Sequence, residues 1–262
     1  MEIGITGGDG TLGQLLRKRL ATAPGTVSSF DGDLRSAFAV ESWVRGLRPA
    51  RVVHLAARVA LDDVQRDPLA AFAVNVQGTA HLLGALAGLG TKPWLFYAGT
   101  SHVYSSLDRP IGEDGAIQPQ NTYGETKWLA EQLVRFFAKH GAVRACVGRI
   151  FSFYHRSQSK PFLYPSIVER LAGHDRTKPL QLRGGNNIRD LSNAEDVIEA
   201  IVRLMDRECE GVVNIGSGVG KRIADFVREL AGHDVEIEVP PDDPVTSLVA
   251  DVSRLRSLVG HG

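Results

Sequence analysis

Apolar residues come in two alternating textures along this chain. Residues 2–6, 51–57, 94–99 and 143–150 are short, largely apolar runs, and 27–30 is a shorter segment bounded by Val27 and Phe30. Between them, apolar positions recur three and four apart, as Leu12, Leu15, Leu16 and Leu20 do. The first texture predicts strands buried on both faces; the second predicts helices with one apolar stripe. Helices are predicted up to about residue 20, then over 36–47, 68–88 and 123–140. Turn residues crowd 105–122. Strands and helices alternating at this spacing predict βαβ units, hence an α/β fold with a doubly wound Rossmann-type parallel sheet.

After Ile150 the texture changes. Residues 155–165 (HRSQSKPFLYP) are polar and turn-rich. A helix over 166–172 and a strand over 180–182 follow. Ser192-x-x-Glu195 predicts a capping box that opens a helix to about Met205. Further predictions are a strand at 212–215, a helix at 222–230, a strand at 235–239 and a short helix at 252–259. These divide the chain into a dinucleotide-binding domain, 1–150, and a small substrate-binding lobe, 151–262. Part of the lobe, about 189–215, is expected to return to the first domain.

Composition narrows the function classes. With 43% hydrophobic and 23% charged residues in 262, the chain is not of a disordered type. Thirty basic and thirty acidic residues cancel, which argues against a nucleic-acid partner. Cys146 and Cys209 cannot build a disulfide framework or a zinc site, and the eight His lack metal spacing, so no metal is expected. No apolar run approaches the roughly 20 residues of a membrane helix. The N-terminus runs straight into strand-like sequence, unlike a signal peptide. The expectation is a reducing, cytoplasmic setting with no membrane association.

Candidate chemistry begins at Thr6-Gly7-Gly8-Asp9-Gly10-Thr11-Leu12-Gly13, a G-x-x-G-x-x-G turn between a predicted strand and a predicted helix. Glycines let backbone approach a pyrophosphate, and the helix N-terminus offers free N–H groups and a positive dipole end. Gly7, Gly10, Thr11, Leu12 and Gly13 are therefore candidate cofactor-binding residues. Asp31, ending the second strand, is placed to accept hydrogen bonds from the adenosine ribose. Asp33-Leu34, two residues on, can instead face the adenine. A free ribose diol at Asp31 favours NAD; Arg35, Arg17 or Lys18 holding a 2′-phosphate favours NADP.

Tyr123-Gly124-Glu125-Thr126-Lys127 places a phenol and an ammonium four apart, on one helix face. An ammonium beside a phenol stabilises the phenolate and lowers its pKa. Tyr123 is thus expected to move a proton near neutral pH. Thr100 and Ser101 end the fourth strand, on the sheet edge where open α/β folds bind ligands. A hydroxyl there can hold a substrate oxygen next to Tyr123.

Together these features resemble the extended short-chain dehydrogenase/reductases that act on nucleotide sugars. The resemblance covers nearly the whole chain. It includes the glycine turn, His54-Leu55-Ala56-Ala57, Asp67-Pro68, Asn75-Val76-Gln77-Gly78-Thr79 and Gly99-Thr100-Ser101-His102-Val103-Tyr104. It continues through Asn121-Thr122-Tyr123 to Lys127, Arg189-Asp190-Leu191 before Asp196-Val197, and Asn214-Ile215-Gly216-Ser217-Gly218. It implies that Thr100 is the catalytic hydroxyl, Tyr123 the acid/base, and Lys127 the ribose-binding lysine that tunes it. It places Leu55, Ala56, Ala57 and Asn75 near the cofactor. It puts Arg189 at the sugar-nucleotide phosphates and Ser101, His102 and Ser152 near the substrate. Family members often pair as homodimers through the two helices predicted at 68–88 and 123–140.

Departures from the family narrow the reaction. Its dehydratases carry Asp-Glu where this chain has Ser101-His102. Its epimerases often have Asn where Ser152 stands, and the Gly that usually follows Val-Tyr is replaced by Ser105. The second lobe is short for an epimerase and closer to the 4-keto-sugar reductases. The leading expectation is NAD(P)H-dependent reduction of the C4 ketone of a nucleotide-diphosphate sugar. The alternatives are an NAD-dependent 4-epimerase and a non-catalytic cofactor-binding protein.

Overall fold

A computed structural model describes residues 2–260 apart from Pro24. Its main sheet is six-stranded and all parallel: β1 (Glu2–Thr6), β2 (Thr26–Phe30), β3 (Arg51–His54), β4 (Trp94–Thr100), β5 (Arg144–Ile150) and β9 (Gly211–Ile215). The strand order is β2-β1-β3-β4-β5-β9. The apolar runs form strands because both faces are covered; every residue of β4 is buried. Alternate side chains feed two cores. Phe96, Cys146 and Val213 pack with Leu16 of α1 (Thr11–Leu20), Ile201 of α8 (Ala194–Asp206) and Leu255 of α10 (Ser253–Val259). Leu95, Tyr97 and Val147 pack with Val44 of α2 (Ala37–Leu47), Leu82 of α5 (Gly78–Ala87) and Val134 of α6 (Thr122–Lys139). The predicted doubly wound sheet is therefore present.

The strand order reverses between β1 and β3, so a crevice opens outside the C-terminal ends of those two strands. Strand β3 stops at His54, which leaves Leu55, Ala56 and Ala57 as a turn facing that crevice rather than as strand. The predicted helix 68–88 is a rod of α4 (Pro68–Phe72), a π-turn (Ala73–Gln77) and α5, preceded by an unpredicted α3 (Leu61–Arg66). The rod corrects one expectation. Pro68–Ala87 spans 20 residues at a mean hydropathy of 1.3, long and apolar enough to cross a membrane by length and composition. Its apolar content has another use here, since Leu82, Leu83 and Leu86 are fully buried against the sheet.

Beyond β5 lie β6 (Ser152–Tyr154), α7 (Leu163–Ala172), β7 (Leu180–Gln181), β8 (Ile188–Asn193), β10 (Gly220–Arg222), α9 (Ile223–Ala231), β11 (Ile237–Glu238) and β12 (Ser247–Leu248). A small sheet joins β6, β10 and β12 to β8. A third core of Ile167, Leu182, Phe226 and Val227 holds α7 to α9. The predicted capping box is not made. Strand β8 runs on through Asn193, whose Oδ1 accepts the Glu195 N–H at 3.1 Å, while the buried Ser192 Oγ has no partner.

Candidate active site

The glycine turn is built to let a ligand reach backbone. Gly7 has φ +72°, and a Cβ there would lie 2.7 Å from Ala56 N. A Cβ at Gly13 would meet Gly7 O at 2.1 Å. Glycine is thus required for β1, α1 and the 55–57 turn to close on one another. Helix α1 starts at the Gly10 N-cap with no side chain capping it, which leaves its first N–H groups free. An uncapped N-terminus on a glycine turn at the switch point fits a dinucleotide pyrophosphate.

A cleft of about 960 Å³ runs from this turn along the sheet edge. Gly7, Gly10, Thr11, Leu12, Gly13, Asp33, Leu34, Leu55, Ala56 and Ala57 line its first part. Thr100, Ser101, His102, Tyr123, Lys127 and Ser152 line the rest. One chain-long groove therefore collects most of the residues singled out from sequence. Three fall outside its lining. Asp31 is solvent-exposed, and of these two acids Asp33 is the one that lines the cleft, held by Arg35 through Nε at 3.0 Å and Nη2 at 2.6 Å. Asn75 is buried on the π-turn with its amide committed to protein. Its Oδ1 accepts Arg58 N (2.7 Å), and its Nδ2 donates to Arg58 O (3.0 Å) and Thr126 Oγ1 (2.9 Å). It ties loop 58 to α6. Arg189 donates to the Ile188 and Thr246 carbonyls at 2.8 and 2.9 Å and to Thr246 Oγ1 at 2.7 Å.

The reactive end is set by α6 and the end of β4. Asn121 caps α6, its Oδ1 accepting Gly124 N at 2.8 Å. This starts the helix so that Tyr123 and Lys127 share a face. Gly124 permits close approach, since a Cβ there would meet His102 O at 2.5 Å. Thr100 ends β4 and accepts the His102 N–H at 3.2 Å, turning the chain into a 3₁₀ turn (Ser101–Val103). The Lys127 ammonium lies 4.3 Å from the Tyr97 ring centroid.

The electrostatics depart from expectation. Burial pushes the Tyr123 hydroxyl up to about 12, with a hydrogen bond from Thr100 opposing it. Burial pulls Lys127 down to about 7, with Glu131 opposing it. Lys127 is not among the groups that lower Tyr123, because desolvation disfavours the charged form of both. Without ligand, Tyr123 holds its proton at neutral pH.

Sequence reasoning missed two features. The first is a wall of Phe153, Tyr154, Phe162 and Tyr164 at the far end of the cleft; aromatics in a turn-rich stretch carry no periodic signal. The second is a buried frame behind the site. Arg149 grips Glu131 of α6 through Nη2 at 2.6 Å and Nε at 3.0 Å, and donates from Nη1 to Tyr104 Oη at 2.7 Å. Tyr104 donates to Asn214 Oδ1 at 2.8 Å. The run Arg149-Ile150-Phe151 and the Tyr104 and Asn214 motifs were its only traces in sequence.

Residues 9–243 match the GDP-mannose 4,6 dehydratase family. The chain is 28% identical over 216 residues to GDP-6-deoxy-D-mannose reductase of Pseudomonas aeruginosa, covering 79% of this chain and 71% of that one. It is 26% identical over 253 residues to UDP-glucose 4-epimerase of Rhizobium meliloti, covering 87% and 77%. The crystal structure of Thermus thermophilus UDP-glucose 4-epimerase in complex with NAD superposes with a TM-score of 0.82. That superposition has 25% identity and covers 98% of this chain and 92% of that one. The relatives thus include both nucleotide-sugar reductases and 4-epimerases. The chain belongs to the GDP-mannose 4,6 dehydratase family, and is an NAD(P)-dependent oxidoreductase of the extended short-chain dehydrogenase/reductase type.

Proposed function

We propose that this chain reduces the C4 ketone of a nucleotide-linked sugar. The observation that carries the reading is convergence. The glycine turn, the Thr100 hydroxyl and a Tyr123 that holds its proton share one cleft. Gly7, Gly10, Gly13, Asp33 and the 55–57 turn hold the dinucleotide, and Lys127 its nicotinamide ribose. NAD(P)H, when bound, supplies hydride. Thr100 holds the carbonyl oxygen, and Tyr123 donates its proton as negative charge develops there. The protonated fraction of Lys127 adds a positive field at that oxygen. The aromatic wall and Ser152 take the sugar nucleotide.

Tyr123→Phe tests this. It removes the hydroxyl and keeps the ring, so kcat is expected to fall by about 10²–10⁴-fold with cofactor binding intact. Wild-type-like turnover in that variant sinks the reading. The 4-epimerase reading is favoured by the UDP-glucose 4-epimerase relatives. An epimerase purifies with bound NAD and needs no added reductant, whereas a reductase consumes NAD(P)H in step with product.

A homodimer is part of the same proposal. Leu69 and Phe72 of α4 and Leu129 and Phe136 of α6 are exposed apolar side chains on the two helices expected to pair. Light scattering at the mass of one chain would overturn it.

A further inference from the structure

His102 lines the cleft, and Asn121 defines which of its ring nitrogens carries the proton. The Oδ1 of Asn121 is committed to capping α6 through Gly124 N, 2.8 Å away. Flipping the amide would set its NH₂ against that N–H, donor to donor. The Nδ2 therefore stays on the other side, 3.0 Å from His102 Nδ1. An NH₂ has no lone pair to offer, so Nδ1 is the acceptor and the ring proton resides on Nε2. Burial, with Arg189 adding to it, pulls the imidazole down to about 4, so the ring is neutral at pH 7. It stands edge-on to Tyr123 with centroids 5.7 Å apart. Its backbone N–H is tied to Thr100. Among the described residues, no side chain or carbonyl accepts from Nε2.

We infer that His102 is a substrate-orienting residue: its Nε2–H donates to a second oxygen of the sugar whose carbonyl Thr100 and Tyr123 hold. This rests on the oxidoreductase reading above. It gives His102 a fixed donor role with no proton transfer. Selectivity follows, because a sugar with no acceptor oxygen at that point leaves the N–H unpaired. Asn121 then has two tasks, capping the catalytic helix and setting the tautomer.

The test has two arms. Imidazole ¹⁵N shifts, assigned by loss of the signal in His102→Phe, are expected to show the Nε2–H form at pH 7. An Nδ1–H form or an imidazolium overturns the inference. In Asn121→Asp the cap is kept but a carboxylate oxygen faces Nδ1, so the proton is expected to move to Nδ1 and leave Nε2 without a hydrogen. The second arm is kcat/KM in the oxidising direction, with UDP-glucose and GDP-6-deoxy-D-mannose as probes and NAD⁺ or NADP⁺ as acceptor. Losing one donor bond is expected to lower kcat/KM roughly tenfold or more in His102→Phe. His102→Gln, which restores an N–H, is expected to recover most of that, and Asn121→Asp to follow His102→Phe. A wild-type rate in His102→Phe, with Tyr123→Phe inactive, overturns the inference alone. A wild-type rate in Tyr123→Phe overturns the reaction reading beneath it.

Discussion

The two ends of the cleft are made of different material. At one end the surface is backbone: Gly7, Gly10, Gly13 and the 55–57 turn, with α1 left uncapped. At the other it is side chain: Thr100, Tyr123, Lys127, His102 and four aromatics. A backbone surface works only if side chains are absent, so it demands glycine at fixed spacing. A side-chain surface tolerates many residues, provided the frame behind them holds their positions. The first end is therefore fragile to added atoms, and the second to lost charges and donors.

Adding one methyl group at the backbone end is the most severe way to test this contrast. Gly13 lies inside α1, where helix propensity alone favours alanine by about 1 kcal/mol. Sterics decide otherwise. The new Cβ would sit 2.1 Å from Gly7 O and 2.7 Å from Gly8 Cα, and both are backbone with no rotamer to change. Gly13→Ala is expected to abolish NADPH and NADH binding in a fluorescence titration and to lower Tm. Binding within about threefold of wild type would mean the turn has slack its geometry denies.

At the side-chain end the revealing change removes a charge. Lys127 titrates near 7 in the folded chain against 10.5 when exposed. Between those values the unfolded chain binds a proton that the folded one does not. Stability therefore rises with pH across that window. The penalty appears as pH falls from 10.5 and is complete once pH is below about 7, at a few kcal/mol. Lys127→Met keeps the length and drops the charge. It is expected to raise Tm at pH 7, to flatten the pH dependence of stability above 7, and to lose most of the activity. A variant with unchanged Tm would show that Lys127 is better solvated than its burial implies.

The same contrast explains what was legible in the sequence. Strands β1, β3 to β5 and β9 announce themselves because burial on both faces demands apolar runs; the edge strand β2, with Phe30 alone buried, is marked more faintly. The glycine turn does so because only glycine fits. Short β6, β8, β10 and β12 do not. Residues such as Ile188–Asn193 mix charge and apolar character, and gain strand form from neighbours distant in sequence. Ser192 and Asn193 are equally good caps on paper, and the length of β8 selects the second. Asn75 and Arg189 were marked by motif, but a motif does not say whether a polar head faces a ligand or the protein. Spacing puts Tyr123 and Lys127 on one helix face, and both line the cleft. Their protonation was not legible, because desolvation depends on packing that spacing does not report.

The smallest expected effect lies where the sequence said least. Tyr154 and Tyr164 stand 5.9 Å apart, nearly parallel at 27°, at the far end of the cleft. Tyr154 also packs on Phe226 and so belongs partly to the lobe core, at a centroid distance of 5.2 Å. Tyr164 lies in the first turn of α7 and also packs, partly buried, against that core, but its one aromatic partner is Tyr154, where Tyr154 has two. An aromatic face stacked on a nucleobase is worth about 1–3 kcal/mol. In Tyr164→Leu the lobe keeps an apolar side chain but loses that face. If the wall holds the nucleotide of the substrate, KM should rise about tenfold with kcat and NADPH affinity nearly unchanged. A fall in kcat with KM constant would instead place Tyr164 in the support of α7.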